Sequence, residues 1–83
     1  MAEVWYRISV HSDGIHEIGV ERSTDQFVVV GGNRRKKSTD YESYFPTRDE
    51  ARDELIARRR AHVKHLEAQL EGARQRLRIA EAL

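Results

Sequence analysis

The chain has 83 residues, 39% hydrophobic and 35% charged, with a formal net charge of only +1 and no cysteine. These figures exclude disulfide staples, thiolate metal sites, a large self-sufficient core and the long-range field of a dedicated polyanion binder. No run of 18 apolar residues occurs, and the start Met1-Ala2-Glu3-Val4-Trp5-Tyr6-Arg7 lacks a basic stretch leading into an apolar one, so neither a membrane span nor a signal peptide is expected and the default location is cytoplasmic.

Val4 to Val10 alternates with period two, setting Val4, Tyr6, Ile8 and Val10 on one strand face and Trp5, Arg7 and Ser9 on the other. Trp5 then requires either a second layer over its face or a partner protein, and a partner surface is the slightly favoured reading. His11-Ser12-Asp13-Gly14 supplies a turn. Glu17 to Arg22 is a second alternating strand with Ile18 and Val20 inward, and Ser23-Thr24-Asp25 a second turn. Gln26 to Val30 ends in an unbroken apolar run suited to a doubly covered strand. Gly31-Gly32-Asn33 terminates it; the diglycine lacks the spacing and following helix of a phosphate-cradling loop. Residues 33–39, with Arg34, Arg35, Lys36 and Lys37, read as a basic loop. Asp40 to Phe45 is either a short fourth strand or an extended lead into a helix, with Tyr44 and Phe45 packing under its first turns.

One helix is predicted over 47–83. Thr47-Arg48-Asp49-Glu50 is a capping box, acids crowd the first turns, arginines lie toward the end, and no proline interrupts the stretch. Ile56, Val63, Leu66, Leu70, Ala73, Leu77 and Ala80 fall at heptad a and d positions, with Arg59 occupying the d position between the first two. A helix of this length spans roughly 50–55 Å, whereas a five- or six-residue strand spans about 17–20 Å. The sheet cannot cover the helix. The seam from Val63 onward therefore predicts self-association through Val63, Leu66, Leu70, Ala73, Leu77 and Ala80, and the e positions Arg60, Glu67, Arg74 and Glu81 alternate in sign in a way that favours an antiparallel homodimer. The fold class is α+β: a three- or four-stranded antiparallel meander over 1–45 and one long C-terminal helix, in a single domain.

Catalytic chemistry finds no constellation. His62 and His65 are two imidazoles without a third ligand, and Glu17 and Glu21 lack a pocket or a general acid, so no enzyme, metal or cofactor is expected. Charge is uneven: residues 1–33 carry two basic against five acidic groups, residues 34–83 thirteen against nine. Contact with phosphates through Arg34, Arg35, Lys36 and Lys37 together with Arg58 and Lys64, aided by Trp5, is thus the alternative function, a nucleic-acid-binding accessory protein.

Tyr44-Phe45-Pro46-Thr47-Arg48-Asp49-Glu50-Ala51, running into an Arg/Glu/Leu-rich helix, resembles the C-terminal part of small uncharacterised phage and prophage proteins. The resemblance covers the second half only and carries no functional residue. It implies a sheet-then-helix order and a non-enzymatic inhibitor that binds an unidentified protein or complex in the host cytoplasm.

Overall fold

Two structural decisions, one at Glu21 and one at Gly31-Gly32, turn the expected meander into two sheets. The computed structural model describes residues 3–83; Met1 and Ala2, which enter the signal-peptide argument, lie outside them. Its elements are β1 (Glu3–Ser9), β2 (His16–Val20), β3 (Arg22–Ser23), β4 (Phe27–Val30), β5 (Asn33–Lys36), β6 (Glu42–Phe45) and α1 (Arg48–Glu81). The α+β class with strands ahead of one long helix holds, but the strands form two three-stranded antiparallel sheets, ordered β2-β1-β6 and β3-β4-β5. At Glu21 the chain leaves the first sheet: its N–H donates to the Val29 carbonyl at 2.8 Å, so the predicted second strand is split into β2 and β3. Gly31 and Gly32 then take φ of 56° and 79°. Two successive positive φ values are the mark of a type I′ hairpin turn, whose twist matches the flanking strands. The chain consequently folds straight back, and the basic segment, expected as a loop, is strand β5.

Antiparallel partners share a face, so the pairs Trp5–Ile18 and Arg7–Tyr44 place Trp5, Ile18 and Tyr44 on one side of the first sheet. That side meets the second sheet in a cluster of Trp5, Val20, Val28 and Tyr44, flanked by Ile18 and Val30. Trp5 is only 6% exposed, which corrects the expectation of a partner surface: the second sheet is the layer that covers it. The opposite side carries Ile8 paired with Ser43, both fully buried, and faces α1. Here too one expectation changes. Alternation sends Ser43 and Phe45 toward the helix but Tyr44 into the core between the sheets.

Inside that core the Tyr44 hydroxyl donates to Glu42 Oε1 at 3.2 Å. Burial, and then the Glu42 carboxylate, raise the Tyr44 phenol above its ordinary range.

Helix α1 begins at the predicted cap, through one of the two bonds of a capping box. Thr47 is extended, with φ −125° and ψ 150°, and its hydroxyl accepts the Glu50 N–H at 3.2 Å. Ala51 is fully buried, its small side chain letting the helix backbone lie close against the sheet. Contact with the sheet then fades, and from Arg60 to Leu83 every residue except Gly72 is exposed. The result is elongated, 68 × 22 × 19 Å, with a radius of gyration of 18.7 Å; a compact chain of this length would have one of about 12 Å.

Candidate self-association face and basic surfaces

Arg59 explains why the seam starts where it does. Its guanidinium donates to the Ser12 carbonyl at 2.9 Å and lies 3.5 Å from the Asp13 carboxylate, so this d position is spent on fastening the β1–β2 turn to the helix. Leu55 and Ile56 beside it are half-buried. Beyond it the stripe opens: Val63 is 52% exposed, Leu66 50%, Leu70 51% and Leu77 60%. Ala73 and Ala80 are exposed on the same seam. Where helix and turn diverge, Asp13, Ile56, Arg59, Arg60, Val63 and Glu67 border an open groove of about 550 Å³. Ile79, also exposed, stands at a c position off the seam; the heptad reading passed over it because its spacing matches neither a nor d.

The charges beside the seam are disposed unequally. At the b positions Glu71 and Arg78 close an ion pair of 3.2 Å along their own helix. Among the described residues none of the e-position charges Arg60, Glu67, Arg74 and Glu81 has an ion-pair partner within the chain.

The proposed phosphate contacts are not brought together. Arg58 is bound within the chain, to Glu54 at 3.0 Å and to the Oγ of buried Ser43 at 2.6 Å, and so serves as a clip between helix and sheet. Sequence reasoning missed Ser43, since a serine in a weakly alternating strand gives no sign of burial; its Oγ is also 3.1 Å from that of Ser38. Lys64 is exposed on α1, on the far side of the middle sheet from β5. Within β5, Arg35 lies 3.7 Å from Glu42, and the Arg34 guanidinium sits 4.2 Å from the Phe27 ring centroid. The Lys37 ammonium, just past the strand, is 5.2 Å from that of Trp5. The missed signal for this strand was Gly31-Gly32 between two extended runs, a hairpin signature.

His62 and His65 are exposed on α1, and among the described residues no group of three or more acidic or histidine side chains converges as a metal site. Glu21 accepts the Gly32 N–H at 3.1 Å, bracing the β4–β5 turn. Among the described residues no helix is long and apolar enough to cross a membrane. No protein-family model matches the chain, and neither does any curated protein or solved structure.

Proposed function

We propose that this chain is a non-enzymatic interaction protein that pairs with a second copy of itself through the distal half of α1. The observation that carries the reading is the half-exposed stripe Val63, Leu66, Leu70 and Leu77, which is left uncovered among the described residues. Most helical stability in proteins comes from packing an apolar face, and burying a leucine contributes about 1.5–3 kcal/mol, so association supplies what the sheet does not.

Charge favours the antiparallel arrangement. A crossing centred near Gly72 sets Leu70 against Ala73, Leu66 against Leu77 and Val63 against Ala80 of the second copy. Glu67 then meets Arg74, and Arg60 meets Glu81, both attractive. Parallel helices would instead bring e against g, where Glu67 meets His62, Arg74 meets Gln69 and Arg76 meets Glu81, of which only the last is a full ion pair. In the antiparallel pair the two β-layered ends lie far apart. Sedimentation velocity over a dilution series tests association: a monomer at every accessible concentration overturns the reading. A Leu83→Cys variant tests orientation, because only parallel helices would bring the introduced thiols together and oxidise readily.

A further inference from the structure

The register of the second sheet sorts the basic run onto two faces. Strand β4 pairs Val29 with Arg34 and Phe27 with Lys36, while β3 pairs Arg22 with Val29. Since antiparallel partners share a face, Arg22, Arg34 and Lys36 stand with Phe27 and Val29 on one side of this sheet. Arg35 is opposite Val28, which is fully buried in the core, and so belongs to the other side. The inner cations are engaged: Arg35 has Glu42, and Lys37 lies over Trp5. Among the described residues none of the three outer cations has an ion-pair partner. On the outer face Phe27 is half-buried and Val29 only 9% exposed, while Arg22, Arg34 and Lys36 are all exposed, so cations form its accessible layer.

We propose that this outer face of β3-β4-β5 binds single-stranded nucleic acid, with Arg22, Arg34 and Lys36 on phosphates and the Arg34–Phe27 pair as a stacking platform. Strands about 4.8 Å apart spread the cations over a flat surface instead of closing them round one anion, which suits a chain of phosphates. The guanidinium 4.2 Å from the aromatic ring, set among these cations, offers planar groups on which bases stack whatever their sequence. An acidic peptide would use the charge but not the planar pair. The site lies across the middle sheet from α1 and is independent of the proposed dimer seam.

Fluorescence anisotropy with a labelled single strand of about 12 nucleotides tests this, at a length within the span one such binding surface covers. Three phosphate contacts give a log–log salt slope of about −2, so binding should weaken roughly 20-fold from 50 to 200 mM salt. The triple variant Arg22→Gln/Arg34→Gln/Lys36→Gln, with an unchanged circular dichroism spectrum, should lose the binding and the slope. The variant Arg48→Gln/Arg52→Gln/Arg78→Gln removes equal charge away from both this face and the dimer seam and should keep both. Absence of wild-type binding, or equal losses in the two triple variants, overturns the proposal. Displacement of the strand by polyglutamate as readily as by unlabelled oligonucleotide also overturns it, in favour of an acidic protein.

Discussion

The two halves of α1 are built from the same residues, Arg, Glu, Ala and Leu, yet they are held in different ways. Along residues 48–60 the helix is capped by Thr47, seated on the sheet through Ala51, clipped to Ser43 by Arg58 and tied to the β1–β2 turn by Arg59. Along residues 61–81 no hydrogen bond or ion pair to the strands is made among the described residues, and the apolar stripe is half open. Strong helix formers fill both sides of this divide, so propensity does not set the difference. Length does: strands of four to seven residues underlie a helix of 34. The proximal half is an intramolecular structure whose stability is indifferent to concentration. In the proposed dimer the distal half is covered by the helix of the second copy.

That contrast breaks most severely at the proximal core. Ile8→Ala removes a fully buried side chain beneath α1 and should cost about 2–5 kcal/mol in urea unfolding, equally at low and high protein concentration. Leu66→Ala and Leu70→Ala should do the opposite. Each should weaken self-association by roughly tenfold or more, following the apolar area lost, while leaving the urea midpoint of dilute protein unchanged. If either lowered that midpoint as Ile8→Ala does, the distal half would be packed within the chain and the division would be false.

Thr47→Ala sharpens the comparison at its edge. Loss of the hydroxyl that accepts the Glu50 N–H should cost about 0.5–2 kcal/mol, read as a lower melting temperature at any concentration. Because the cap belongs to the proximal half, the dimer dissociation constant measured below the melting transition should stay within about a factor of two of the wild type. A larger change would mean that fraying at Thr47 reaches the seam.

What could be read from the sequence follows from how local each signal is. Thr47 to Glu50 states the helix start in four residues, and the heptad spacing of Val63, Leu66, Leu70 and Leu77 states the exposed stripe. The mismatch of sheet and helix lengths needed only rise per residue. Trp5 was harder. Its alternation showed that it left the Ile8 face, but whether another layer waited there depended on a sheet assembled from residues 22–36. That sheet turned on Gly31-Gly32, whose two positive φ values make a hairpin, and on a bend at Glu21, a position where no glycine or proline marks a break. Arg58 and Arg59 show the same limit. Consecutive arginines on a helix look alike in sequence, and only the positions of Ser43 and Ser12 decide that both are fastened to the sheet end.

The smallest expected effect tests how the distal halves would run. Glu67→Arg alone should weaken an antiparallel dimer, because the new arginine meets Arg74 of the second copy at two symmetry-related places. Exposed pairs of this kind shift association by roughly two- to fivefold each. Adding Arg74→Glu exchanges the signs and should restore the wild-type constant. Local helix chemistry does not mimic loss followed by restoration. An arginine at position 67 gains Glu71 four residues on but meets Lys64 three residues back, and a glutamate at 74 gains Arg78 but meets Glu71, so the local terms offset within each substitution. Because the second substitution does not reverse the local terms of the first, a loss that the double variant restores comes from the facing helix. Parallel helices would place the altered positions against His62 and Gln69, and the double variant would recover nothing. In 1 M salt, where screening acts over about 3 Å, the wild type, single and double variants should converge. If the single variant remained weaker there, packing and not charge would be its cause, and the e-position pairs could not set the orientation.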